Sequence, residues 1–252
     1  MARQSGIIKL KGSIGDISFY KSADGHMARF KGGVDGKRIA TDPAFKRTRE
    51  NGMEFGRAGK GGKLVRNSLQ LLLQQAKDKR VVSRLTKALL AIIKTDSVNE
   101  RGNRTLAAGA FELLTGFDFN IRGILKTSLF APYETLFNRV TGVCGVHLPP
   151  FNPQLQMIAP AGTSHYKLRV GVSELDFEEE RYVFTTEDSG ILPYSNAVTA
   201  ALDLDVSLGA NSSFTVLQVL CLEFYQEVNG TMYPLNNGAF NAMSVVLIDQ
   251  VV

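Results

Sequence analysis

The chain has 252 residues, 44% of them hydrophobic and 21% charged, a balance that excludes a disordered polymer and allows one large domain or two small ones. No apolar run reaches the roughly 18 residues that span a bilayer. The start, MARQSGIIKLKGS, is basic but lacks the apolar stretch of roughly 7–15 residues and the cleavage site of a secretory leader, so a cytoplasmic protein with no membrane partner is expected. The net charge of +5 is unevenly spread. Up to His147 there are 26 Lys and Arg against 12 Asp and Glu, or +14, while Leu148 to Val252 has 3 against 12, or −9. A basic half points to a polyanion such as nucleic acid, and the two opposite halves also allow identical chains to bind head to tail.

The opening stretch Gly6 to Lys31 reads as short strands between glycines. Ile7 to Leu10 and Ile14 to Tyr20 carry β-branched and aromatic residues, and Ile17 and Phe19 alternate with Asp16 and Ser18. Ser22-Ala23-Asp24-Gly25 supplies a turn and His26 to Lys31 a returning strand. So small a meander is marginal alone in water and needs a surface to dock on, in its own chain or in a neighbour. The residues expected to make a subunit contact are Ile7, Ile8, Leu10, Ile14, Ile17, Phe19 and Tyr20.

Gly32 to Ala40 is a basic, glycine-rich loop, and Thr41-Asp42-Pro43 is a helix start with a capping residue before proline. The following segment alternates basic and apolar residues, with Phe45, Thr48, Met53, Phe55 and Ala58 as a candidate buried face. Gly52, Gly56, Gly59, Gly61 and Gly62 predict broken or tightly packed helices, each costing about 1 kcal/mol relative to alanine. Leu64 to Ala76 and Arg80 to Thr95 read as an antiparallel helix pair, the second with Val81, Val82, Leu85, Leu89, Ile92 and Ile93 inward, and Leu106 to Leu114 as a shorter helix ended by Gly116.

Strands are expected beyond that point: Phe117 to Leu129, Leu136 to Leu148, Tyr166 to Val172, Leu175 to Thr185, Val198 to Leu208, Phe214 to Val228, Thr231 to Leu235 and Phe240 to Val251. Pro149 to Pro153 reads as a stiff extended link. Asn229-Gly230 is a strong hairpin signal. Phe214 to Phe224 is apolar on both faces, as a central strand between layers requires. The expected fold is therefore α+β: an N-terminal β-meander arm over residues 1–40, a basic helical region over 41–116 and an antiparallel β-sandwich over 117–252.

Few residues suggest chemistry. Gly56 to Lys63 resembles a phosphate loop only in composition, with the wrong spacing and Leu64 where a hydroxyl is needed. His26, His147 and His165 lie on different elements, and Cys144 and Cys221 lack metal-ligand spacing and read as buried thiols. Glu174, Asp176, Glu178, Glu179 and Glu180 suit either a hard cation or a solvated edge facing a basic neighbour. No catalytic residue, cofactor or metal site is expected. Lys37, Arg38, Lys46, Arg47, Arg49, Arg57, Lys60, Lys63 and Arg66 are the candidate contacts to a polyanion or to acidic protein surface.

The runs G-I-I-K-L-K-G-S-I-G-D-I-S-F-Y-K, G-H-M-A-R-F-K-G-G-V and T-D-P-A-F-K-R-T-R-E-N-G-M-E-F-G-R-A-G-K resemble the front end of an uncharacterised family of Bacteroidota proteins, in which such a hairpin leads into an arginine-rich helix. The resemblance covers about the first 66 residues and implies a recurring module without a reaction. Two functions fit these features: a structural protein that assembles with copies of itself into a filament, lattice or shell, or a coat-like protein that binds or packages nucleic acid.

Overall fold

The computed structural model describes residues 2–22, 24–76 and 78–251. The chain forms two compact units, residues 1–49 and 50–252. Three segments were expected; the helical region and the C-terminal strands instead share one unit because they share one core.

In the first unit, β1 (Ala2–Arg3), β2 (Gly12–Ile14), β3 (Ile17–Ser22) and β4 (Gly25–Phe30) form an antiparallel sheet in the order β1-β4-β3-β2. Ile7 to Leu10 is a bend rather than the expected strand. Gln4 explains it: its side-chain amide accepts from the Leu10 N–H at 2.8 Å and donates to the Leu10 carbonyl at 3.2 Å, doing for Leu10 what a neighbouring strand would do. Ile14 to Tyr20 is likewise a hairpin, turned at Gly15, whose φ of +53° an L-residue rarely adopts. The turn before β4 is closed by Ser22 and Asp24; Ala23 lies outside the described residues. After β4 come α1 (Gly36–Thr41) and a 3₁₀ turn at Pro43–Phe45, capped by the Asp42 carboxylate accepting from the Ala44 N–H at 2.9 Å, the helix start expected from the sequence.

The helix α2 (Lys46–Ser68) runs unbroken through all five glycines. They serve packing at one end only. A Cβ on Gly61 would stand 2.1 Å from Leu106 Cδ1, whereas Gly52, Gly56 and Gly59 face open space. Of the expected buried face only Ala58 is buried; Phe45 is half buried and Thr48, Met53 and Phe55 are exposed, and the helix buries Glu54, Gly61, Gly62, Leu64 and Val65 alongside Ala58. The continuation α3 (Gln70–Leu73) and the helix α4 (Val81–Ile93) follow. On α4 the expected inward residues are buried except Val82, which is half exposed. The expected third helix shrinks to a 3₁₀ turn at Phe111–Leu114. Phe117 to Leu129 is mostly irregular, ending in α5 (Leu125–Ser128), because residues 116–119 bond to the last strand without extending into a ladder.

The remaining strands are β5 (Glu134–Asn138), β6 (Val143–Leu148), β7 (His165–Asp176), β8 (Arg181–Asp188), β9 (Leu192–Pro193), β10 (Leu202–Ser207), β11 (Thr215–Val228), β12 (Thr231–Pro234) and β13 (Ala242–Asp249), with α6 (Pro153–Gln156) between β6 and β7. Two expected single strands are hairpins, Leu136 to Leu148 folding at Gly142 and Leu175 to Thr185 folding at Glu180, both with positive φ. Asn229-Gly230 makes its hairpin with φ of 52° and 76°. All pairings are antiparallel. They give a small sheet, β10-β6-β5, and a six-stranded sheet built on β12-β11-β7-β8, with β13 on β11 and β9 on β7.

The α+β class expected from sequence holds, and β11 shows how its layers meet. Val216, Leu220, Leu222 and Phe224 face the small sheet, together with Val170, Val172, Val146 and Leu204. Leu217, Val219 and Cys221 face the helices, with Leu72, Leu85, Leu89 and Phe111. The large sheet is thus the middle of three layers, which is why its central strand is apolar on both faces. Gly171 of β7 lets α3 approach, since a Cβ there would lie 2.4 Å from Leu72 Cδ1. Gln218 ties the two sheets, its buried amide donating to the Gly145 carbonyl at 2.7 Å.

Candidate functional site

The first unit is small and almost coreless. No described residue from 2 to 49 is buried; Ile17, Phe19 and Tyr20 are half buried on β3, whereas Ile14 is 63% and Phe30 75% exposed. Ile7, at 102%, and Ile8, at 80%, project from the bend, and Leu10 is 42% exposed. All seven residues expected to make a subunit contact therefore belong to one sheet and its bend, with Ile7, Ile8, Leu10 and Ile14 accessible. Residues 1–49 contain 11 Lys and Arg against 4 Asp, a charge of +7. Arg29 lies 5.5 Å above the Tyr20 ring, within cation–π range.

The nine basic residues expected to meet a polyanion do not act as one set. Arg49 donates to the carbonyls of Ile39 at 2.7 Å and Asp42 at 2.9 Å, clamping α1 to the start of α2. Arg57 similarly holds the Gly102 and Arg104 carbonyls. Arg38 pairs with Asp42 and Lys60 with Glu180, both at 3.0 Å. Burial lowers the pKa of Arg66, one of whose terminal nitrogens lies buried beside Gly62. Lys37, Lys46, Arg47 and Lys63 are exposed. The phosphate-loop-like run Gly56 to Lys63 lies wholly inside α2, so its amides serve the helix ladder.

In the second unit the structure brings together residues that sequence reading did not single out. On the helix-facing side of the large sheet, the cross-strand neighbours Lys167 and Arg169 of β7, Asp188 of β8, and Glu223 and Tyr225 of β11 form an ion network. Arg169 reaches Asp188 at 2.7 Å, Lys167 lies 3.7 Å from Glu223 and 3.6 Å from Asp188, and the Tyr225 hydroxyl donates to Glu223 at 2.6 Å. Glu223 is only 2% exposed. Burial pushes the Tyr225 pKa up and the bond to Glu223 adds to it, so the hydroxyl stays protonated as a donor. Two cations balance two carboxylates, the condition under which buried charge is tolerated. The sequence signal was Glu223 itself, a lone acid within the apolar run Val219 to Phe224.

The acidic cluster separates. Asp176 accepts from the Glu178 and Glu179 N–H groups at 3.1 Å and pairs with Arg181, so it shapes the β7–β8 turn; Glu174 bonds Ser212 and Glu180 bonds Lys60. Among the described residues no group of His, Cys, Asp and Glu is placed to hold a metal ion. His147 is better engaged than expected: Nε2 meets Asp205 at 2.8 Å and Nδ1 meets Asp203 at 3.5 Å, and these bonds and charges, together with Glu134, outweigh burial and raise its pKa. Both cysteines are free and buried, and burial pushes the Cys144 thiol up to about 11. No protein-family model, curated protein or solved structure matches the chain. No helix among the described residues is long and apolar enough to cross a membrane.

Proposed function

We propose that this chain is a non-enzymatic structural protein that self-assembles into a filament, lattice or shell, its N-terminal unit docking on a second copy. The burial of that unit carries the reading. A four-stranded sheet with no buried residue among those described, and with Ile7, Ile8, Ile14 and Phe30 exposed, gains too little from the hydrophobic effect to offset the ordering of its backbone. Covering those side chains supplies about 25 cal/mol for each Å² removed from water. The charge of +7 directs the unit to acidic surface, which residues 148–252 supply at −9. Sedimentation velocity tests the reading. The full chain is expected to run as an oligomer that Ile7→Asp and Ile8→Asp dissociate, and a chain that stays monomeric at high concentration refutes it.

One observation favours a second reading, binding of single-stranded nucleic acid: the Tyr20 ring under Arg29 combines an aromatic face with cations on the basic unit. Fluorescence anisotropy with a labelled oligonucleotide separates the two. Binding that weakens steeply between low and high salt supports nucleic acid; no binding at low salt rejects it.

A further inference from the structure

The second unit carries two complementary surfaces at opposite ends of its large sheet. The β7–β11 ladder runs in unbroken register from His165 opposite Tyr225 to Leu175 opposite Thr215, a span of about 33 Å at roughly 3.3 Å per residue. At the Tyr225 end two grooves adjoin. One, of about 400 Å³, lies between Asp78–Arg80 and Asn120–Arg122. The other, of about 510 Å³, is lined by Thr127, Ile158, Phe224 and Phe240. Arg122 is common to both. Its side chain, like those of Lys79, Arg80 and Lys126, is exposed and has no partner among the described residues. Ile121, at 49% exposure, lines the first groove, and Ile158 at 62% and Phe240 at 40% line the second, so both carry exposed apolar side chains beside the cations. Asp78, the acid there, is committed to Arg84 at 2.7 Å.

The other end is the reverse in charge. The β7–β8 turn presents Glu178 and Glu179, exposed and without side-chain partners among the described residues, because Asp176 takes their backbone N–H groups and holds the tip outward. Beside them on β8, Tyr182 is 44% and Val183 53% exposed. Lys60 and Arg181 stand at the same turn but are paired with Glu180 and Asp176, which leaves Glu178 and Glu179 as the uncompensated acids at this end, and a basic cleft with apolar walls stands at the other.

We infer that the second unit pairs end to end with a second copy of this chain, the Glu178–Glu179 turn of one copy entering the Arg122 cleft of the next. The contact joins two different surfaces, so it repeats, and a heterologous contact of this kind builds a ring or an open filament. The pairing rests on the self-assembly reading but uses none of the N-terminal residues, so the two are separable.

The experiment is sedimentation equilibrium on the full chain carrying Arg122→Glu, Glu179→Arg, or both. Each single reversal places like charges in the contact and is expected to raise the concentration of half-association about tenfold or more, with an unchanged thermal melt by circular dichroism at a concentration low enough for every form to be monomeric, because both residues are exposed. The double variant restores opposite charges and is expected to regain association. Single reversals that associate like the unsubstituted chain, or a double variant as weak as the singles, overturn the end-to-end pairing. In either case dissociation by Ile8→Asp would leave docking by the N-terminal unit standing. A monomeric unsubstituted chain overturns both.

Discussion

Asp96 offers the clearest quantitative test of how the second unit is held together. It lies just beyond α4, is 2% exposed, and closes the loop that follows. One carboxylate oxygen accepts from the N–H groups of Val98 at 2.8 Å and Asn99 at 2.9 Å, the other from the Asn99 side chain at 2.9 Å and the Thr105 N–H at 2.8 Å. Burial alone would raise its pKa, but these bonds outweigh it and hold the carboxyl at about 2 against an ordinary 3.8. A depressed folded-state pKa means that the stabilisation is complete above pH 3.8 and disappears as pH falls through about 2. The drop from 3.8 to about 2 corresponds to about 2 kcal/mol. Asp96→Asn keeps the shape but has a single acceptor oxygen and no titration. Urea unfolding at fixed low protein concentration should place the variant about 2 kcal/mol below the unsubstituted chain at pH 7, with the gap closing between pH 4 and pH 2. A gap independent of pH would refute the argument that the ionised carboxylate organises the loop.

Glycine substitutions should separate close packing from propensity. Gly171→Ala drives a methyl into Leu72 and should cost about 1–3 kcal/mol, whereas Gly52→Ala, in open space inside α2, should stabilise by about 0.5–1 kcal/mol; calorimetric melting distinguishes them. Glu223→Ala leaves Lys167 and Arg169 short of a carboxylate in a buried setting and should cost about 3 kcal/mol or more in urea unfolding, with Glu223→Gln, which keeps an acceptor for Tyr225, costing less. His147, raised by Asp205 and Asp203, contributes stability present below its unfolded value near 6.5 and lost as pH rises through its higher folded value. His147→Gln should therefore flatten the stability profile between pH 6 and 8, by a small amount because the ring is 41% exposed.

The parts of the fold legible in the sequence share a property: their signal lies within a few neighbouring residues. The Asp42–Pro43 helix start, the Asn229–Gly230 hairpin, the inward face of α4 and the doubly apolar β11 were all recognised from spacing and local chemistry. Long apolar stretches were harder to cut. Ile14 to Tyr20, Leu136 to Leu148 and Leu175 to Thr185 each read as one strand and fold as a hairpin, because a single residue with positive φ, Gly15, Gly142 or Glu180, reverses the chain without interrupting the β-rich composition. The five glycines of α2 misled in the other direction. Their propensity cost is about 1 kcal/mol each, and helix packing over Ala58, Leu64 and Val65 overrides it. Of the candidate site, the N-terminal apolar residues were legible as a meander short of a core, while their exposure came only with the structure. The basic residues were legible as a composition only, since Arg49 and Arg57 spend their donors on distant carbonyls that no local pattern announces.

By itself the sequence determined the α+β class, the charge imbalance, and a first segment of small strands unable to bury much surface, because these follow from composition and short-range periodicity. Only the tertiary structure decided that helices and strands form one three-layer unit, that Lys167, Arg169, Asp188 and Glu223 meet on the helix-facing side of the large sheet, and that an acidic turn and the Arg122 cleft stand at opposite ends of that sheet. Those pairings join residues far apart in the chain, and it is strand register across β7, β8 and β11, set by which face each strand buries, that places them.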